Sequence, residues 1–156
     1  MIVRKVILSL LIVVLVAGPS LASEDDYVAD MNIFASKKFG EFKADVTAHY
    51  GISGSRFDVM LKKVDSPGDL AVALWLGDSA KQPVDEVVKQ YRIHRGKGWG
   101  IIAQELGIKP GSPAFKQLKS GNLGWYPKEF PAVMKKHKKD EAIARKEKAR
   151  KEKSNK

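Results

Sequence analysis

The chain has 156 residues, a formal net charge of +10 and no cysteine. Without cysteine it has no disulfides, no c-type haem attachment and no cysteine zinc sites, so apolar packing must hold any folded domain together. The charge is uneven, because residues 135–156 contain eleven Lys and Arg against four Asp and Glu, whereas residues 23–134 carry only +1. Any attraction to a polyanion must therefore act through the C-terminal tail.

Residues 1–22 have the features of a cleavable signal peptide. A basic pair precedes an apolar run over residues 6–17, and Ser20 and Ala22 are the small residues expected before a cut after Ala22. The alternative is a retained anchor, but the apolar run is shorter than the roughly 17–25 residues that span a bilayer. We therefore expect a periplasmic or secreted protein with no transmembrane span once the signal is removed.

Residues 23–134 are predicted to form one all-α domain, a small bundle of about six short helices. Apolar residues recur at helical spacing, and no window shows the sustained alternation typical of a strand. The run over residues 70–76 is apolar on nearly every side, which predicts a central helix. We expect a first helix from residue 24 to about residue 38, loosely attached to the rest. The predicted core includes Phe42, Val46, Phe57, Leu61, Leu74, Trp75, Val88, Tyr91, Trp99, Ile102, Leu106, Phe115 and Leu118.

Two helix–turn–helix-like corners have similar sequences. Residues 49–64 align with residues 105–121 after one insertion, so that Gly-Ile, Gly-Ser, a Phe and Leu-Lys recur. In each corner a glycine is expected to end the first helix and a serine to cap the second. Internal duplication and chance similarity both account for the match.

The second corner raises the question of DNA binding, because its spacing is like that of a repressor's second and third helices. Its short second helix offers only Lys116, Gln117 and Lys119 to a groove, and the domain is almost neutral. DNA recognition requires several phosphate contacts in addition to base contacts. We therefore do not expect sequence-specific DNA binding.

No pattern of residues indicates catalysis, a cofactor or a metal site. His49, His94 and His137 lie on different predicted elements, without the spacing of metal ligands. The adjacent acids Asp85 and Glu86 are explained as helix-start residues that the helix dipole favours. We expect a protein that is not an enzyme.

Two groups of residues are candidates for binding a partner. The first is a basic cluster beside Trp99, which interaction with a helix C-terminus also explains. The second is an aromatic pair in residues 122–127, for which packing over the core is the alternative. The candidate binding residues are Arg92, Arg95, Lys97, Trp99, Trp125 and Tyr126.

The tail, residues 135–156, is expected to be solvated or helical. Its Lys, Arg, Glu and Ala favour a helix by propensity, but Ile143 is its only large apolar side chain. The residues predicted to contact an anionic surface are Lys135, Lys136, Lys138, Lys139, Arg145 and Lys146.

One stretch of the chain resembles a group of small exported bacterial helical proteins. The shared pattern reads GWG at 98–100, IA at 102–103, ELGIKPGS at 105–112, then Phe115 and Leu118-Lys119. The match is good over about residues 83–121 and weaker over residues 40–75. The resemblance implies export and a helical fold, and it adds no catalytic residue.

These observations favour a non-enzymatic periplasmic binding or interaction module whose body contacts another envelope protein. The alternative is a binder of polyanions or of the envelope surface that acts through the basic tail. A hydrolase acting on the cell wall would need a buried carboxylate in a cleft, and the sequence singles out none.

Overall fold

The computed structural model describes residues 23–154, so the predicted signal peptide lies outside the described residues. Within this range the chain is entirely helical and contains no strand, which confirms the all-α prediction. The helices are α1 (Glu24–Lys37), α2 (Phe39–Tyr50), α3 (Gly54–Leu61), α4 (Pro67–Ala80), α5 (Val84–Ile93), α6 (Trp99–Glu105), α7 (Pro113–Lys119) and α8 (Phe130–Ser154).

The predicted count of about six helices is too low, since residues 23–154 form eight. The main difference is α8, which contains most of the predicted tail together with the end of the predicted domain. Phe130, Val133 and Met134 are spaced i, i+3, i+4 and pack into the core, with the Phe130 ring 5.9 Å from that of Phe34. This packed first turn starts the helix, and strong helix formers continue it.

The central helix is α4, as the apolar run predicted. It begins after Ser66, whose side chain accepts the Asp69 N–H, and Pro67 occupies its first position. Every residue over 70–77 is buried, so α4 is surrounded by other helices on all sides.

Helix α1 belongs to the core, although the predicted core omitted it. Its Tyr27, Met31 and Phe34 side chains are almost completely buried against the rest of the bundle. The average composition of α1 is polar, so its apolar side chains are buried only because another helix packs against that side of α1. That partner is α4.

Two glycines allow backbones to approach closely around α1. A Cβ on Gly68 would lie 2.4 Å from the Val28 carbonyl oxygen, so α4 can pack against α1 only without a side chain there. A Cβ on Gly121, which has a φ of +65°, would lie 2.3 Å from the Ser23 carbonyl oxygen. The end of α7 is therefore held against the start of α1, where Lys119 also pairs with the buried carboxylate of Glu24.

The predicted core residues are buried, except that Leu61 and Phe115 are only partly covered. Both lie on the short helices that form the second arms of the two corners. A helix of about two turns on the outside of the bundle leaves part of its apolar face in contact with solvent.

The two corners share their backbone geometry. The Ile52 N–H donates to the Thr47 carbonyl at 3.1 Å, and the Ile108 N–H donates to the Ala103 carbonyl at 2.9 Å. Each is the 6→1 hydrogen bond of a Schellman motif, which follows a left-handed residue at a helix end. The shared residues are Gly51 and Gly107 at the left-handed positions and Ser53 and Ser112 at the caps.

Replacing Gly68 by Ala tests the close approach of α1 and α4. We expect Gly68→Ala to lower the free energy of unfolding by about 1–3 kcal/mol, because the new methyl group would overlap backbone atoms of α1. Gly40→Ala is the matched control, since Gly40 also occupies the second position of a helix and a methyl group there would have nothing within 4 Å. Ala is the better helix former, so the control should leave stability unchanged or raise it by up to about 1 kcal/mol. Urea unfolding followed by circular dichroism measures both, and equal effects would contradict the close-approach argument.

Candidate functional site

The six candidate binding residues lie in two parts of the structure. Arg95, Lys97 and Trp99 line a cleft of about 460 Å³ at the end of α5, and Arg92 lines the adjoining depression. The other two residues lie in the segment that connects α7 to α8. Among residues 23–154, no hydrogen bond or ion pair connects the two groups directly.

Asp65 organises the charges of the cleft. The Arg95 guanidinium pairs with both of its carboxylate oxygens, and the Tyr91 hydroxyl donates to Oδ2 at 2.8 Å. The hydrogen bonds from Arg95 and then Tyr91 hold the pKa of the Asp65 carboxyl below its usual range. The positive charge of Arg95 is therefore largely occupied within the protein.

Asp69 lies at the same end of α4, and its environment shifts the pKa of its carboxyl in the opposite direction. Ser66 Oγ donates to its Oδ2 at 2.6 Å, and Trp99 Nε1 donates to its Oδ1 at 3.3 Å. Burial raises the pKa of the Asp69 carboxyl, and the hydrogen bonds from Ser66 and Trp99 oppose that rise. These contacts fix the Trp99 indole to the start of α4.

Two carboxylates with pKa values shifted in opposite directions are a common feature of acid–base catalysis. Here both oxygens of Asp65 and both oxygens of Asp69 already accept hydrogen bonds from protein donors. Trp99 is only 5% exposed, and its ring stacks on Tyr91 with the centroids 5.0 Å apart. The geometry is that of a structural cluster, which holds α4, α5 and α6 together.

The aromatic pair between α7 and α8 packs back over the body. Trp125 is partly buried and stacks on His49, with 4.7 Å between the ring centroids. Tyr126 stacks on Phe130 at 4.5 Å and donates its hydroxyl to the Gly121 carbonyl, and it remains 38% exposed. One edge of this segment is therefore available to a partner.

Sequence reasoning did not find a groove of about 640 Å³ beside this aromatic pair. It runs between the end of α2, the end of α4 and the start of α5, with His49, Tyr50 and Asp78 in its wall. The Tyr50 hydroxyl is buried and has no hydrogen-bond partner in the described part of the chain. Burial, and secondarily the nearby Asp78 carboxylate, raise the pKa of Tyr50. The residues come from three helices, so no local sequence pattern could have indicated the groove.

The six cations predicted to contact an anionic surface all lie on α8. Each of them is exposed, and every residue over 138–153 is exposed as well. An α-helix that is exposed on all sides has no face packed against the body. The part of α8 after His137 therefore projects into solvent.

No protein-family model matches the sequence, and no solved structure matches the chain. Between residues 23 and 154, no three His, Asp or Glu side chains are grouped so that they could hold a metal ion. In the same range, none of the helices combines the length and the apolar character needed to cross a membrane.

The Asp65 cluster can be tested by removing one hydroxyl. We expect Tyr91→Phe to lower the free energy of unfolding by about 1–2 kcal/mol, because the hydroxyl no longer donates to the ionised carboxylate of Asp65 or accepts the Asp65 N–H, while the stack on Trp99 remains. Tyr126→Phe is the matched control, since it removes one longer hydrogen bond to a neutral carbonyl. Its effect should stay below about 1 kcal/mol. A loss that is as large in the control would show that the cluster has no special role in stability.

The same cluster predicts a pH dependence. The pKa of Asp65 is lower in the folded than in the unfolded chain, so the ionised carboxylate stabilises the fold above the unfolded value of about 3.9. This contribution is lost as the pH falls through the folded pKa. The stability difference between the unchanged protein and Tyr91→Phe should therefore be full near pH 7 and shrink below about pH 4. Urea unfolding across this range measures it, and a difference independent of pH would contradict the assignment.

Proposed function

We propose that this protein is a non-enzymatic binding module of the periplasm or the secreted fraction, and that the projecting part of α8 attaches it to an anionic surface. The observation that carries the proposal is the complete exposure of residues 138–153, which contain most of the cations of the tail. A helix without an apolar face gains nothing from packing, so its charge is the property available for binding.

The charge distribution supports attachment through α8. The body is nearly neutral, and several of its cations have carboxylate partners: Lys43 pairs with Asp58 at 2.6 Å and Lys38 with Glu129 at 3.0 Å. Along α8 the cations outnumber the acids, and none of its described Lys and Arg side chains has a carboxylate of the same helix within 4.0 Å. The uncompensated positive charge is therefore concentrated on one element.

The serine hydroxyls support a role without chemistry. Ser53 and Ser112 accept the N–H groups of Arg56 and Phe115, as N-caps do. The two cleft carboxylates are likewise engaged in the contacts that join α4, α5 and α6. The exported location rests on residues 1–22 and on the resemblance of residues 83–121 to small exported bacterial proteins.

A second candidate is that the body itself recognises another envelope protein. It is favoured by the groove at His49 and Tyr50 and, separately, by the exposed edge of Tyr126. Partner binding through this surface would not depend on the projecting part of α8.

Ending the chain after His137 separates the two surfaces. This cut keeps the packed first turns of α8 and removes nine of the eleven cations of the tail. We expect the melting temperature of the shortened chain to stay within about 2 °C of that of residues 23–156, since the removed residues bury nothing; a loss of about 1 kcal/mol would shift it by about 4 °C in a chain of this length. Binding to vesicles that contain phosphatidylglycerol should fall to the level seen with neutral phosphatidylcholine vesicles.

Two outcomes would contradict the proposal. A melting temperature lowered by many degrees would show that the projecting helix is part of the fold. Undiminished vesicle binding after the cut would place the attachment on the body instead.

A further inference from the structure

The charges of α8 are not mixed evenly around the helix. At 3.6 residues per turn, the four acids of the helix fall on one side, together with His137 and two lysines. We call this side the mixed face, and its residues are His137, Asp140, Glu141, Ala144, Glu147, Lys148, Lys151 and Glu152.

The mixed face continues the side of α8 that packs on the body. His137 follows Phe130, Val133 and Met134 at helical spacing, and all four side chains are at least partly buried. Each mixed-face lysine also has an acid four residues away, Glu147 before Lys151 and Glu152 after Lys148. Such pairs offset each other on a helix surface.

The opposite side contains only cations, two alanines and one isoleucine. We call it the acid-free face, and its residues are Lys135, Lys136, Lys138, Lys139, Ala142, Ile143, Arg145, Lys146, Ala149, Arg150 and Lys153. It covers about half of the helix circumference and extends for about 27 Å along the axis. It therefore presents a straight, one-sided row of positive charge that points away from the body.

We propose that the acid-free face lies flat on the anionic headgroups of a lipid bilayer, with the mixed face and the body turned away from the membrane. This inference rests on the proposed function and adds to it the partner and the orientation of the helix. Cations along a face are attracted to phosphate-bearing headgroups within about a Debye length. A plane contacts about half of a helix, which matches the width of the acid-free face.

The composition of the acid-free face favours a bilayer over a nucleic acid. Ile143 is 46% exposed among the cations, where its side chain can enter the interface between headgroups and acyl chains. The helix between residues 135 and 153 contains no Asn or Gln, the side chains that read adenine. The body, with a net charge of only +1, adds little overall attraction for a polyanion.

The first test compares two double variants of residues 23–156 with equal charge changes. Lys139→Gln with Lys146→Gln alters the acid-free face, and Lys148→Gln with Lys151→Gln alters the mixed face. Gln has a helix propensity close to that of Lys, so helicity should be retained, and circular dichroism checks this. We expect the first pair to weaken binding to phosphatidylglycerol vesicles about tenfold, and the second pair to weaken it less than about threefold.

The second test reads the orientation directly and does not depend on affinity. Because the chain has no cysteine, Ala142→Cys and Ala144→Cys each place one polarity-sensitive dye, on the acid-free and the mixed face respectively. We expect vesicles to shift the emission of the dye at position 142 towards that of an apolar environment and to leave the dye at position 144 nearly unchanged.

The outcomes distinguish this inference from the proposed function. If both double variants weaken binding equally and both dyes respond alike, the tail binds by net charge and the orientation is wrong. If short duplex DNA binds more tightly than the vesicles at the same salt concentration, the choice of a bilayer is wrong. If the chain ending at His137 binds vesicles as well as the longer chain, the proposed function itself fails.

Discussion

The contact between α1 and α4 is the constraint on which the rest of the fold depends. It requires a glycine at position 68, because any side chain there would overlap the α1 backbone. The Asn32 side chain strengthens the contact, since its oxygen accepts the Gly68 N–H at 2.7 Å and its amide donates to Ser66 Oγ at 3.1 Å. Helix α1 thus satisfies polar groups at the start of α4 while burying its own apolar side. In a chain without disulfides, this packing keeps the central helix in place.

The start of α4 is also where α5 and α6 are fastened. Asp65 binds Arg95 and Tyr91, and Asp69 binds Trp99, so two neighbouring acids hold residues from two later helices. Two of the candidate binding residues, Arg95 and Trp99, are thereby engaged in contacts within the protein. The net positive charge that remains for binding a partner therefore lies mainly on α8.

Helix α8 is one continuous helix whose first turns pack on the body and whose remainder is exposed to solvent. Its first turns are stabilised by apolar packing on α1, and the remainder is stabilised by helix propensity alone. The acids lie on the side that continues the packed stripe, which leaves Lys135, Lys139, Lys146 and Lys153 on the other side without an acid three or four residues away. Rigid attachment to the body gives that row of charge a fixed direction, which a flexible tail of the same composition would lack.

The sequence by itself determined most features that depend on neighbouring residues. These include the all-α class, the burial of residues 70–76 and the glycine and serine signals at both corners, because caps and apolar spacing act within one or two turns. Only the tertiary structure decided that the polar α1 is a core helix, since its burial requires a partner from a distant part of the chain. The pairing of Asp65 with Arg95 and the groove at Tyr50 have the same origin. Each joins side chains that are far apart in the sequence, and no local pattern records which parts of the chain become neighbours.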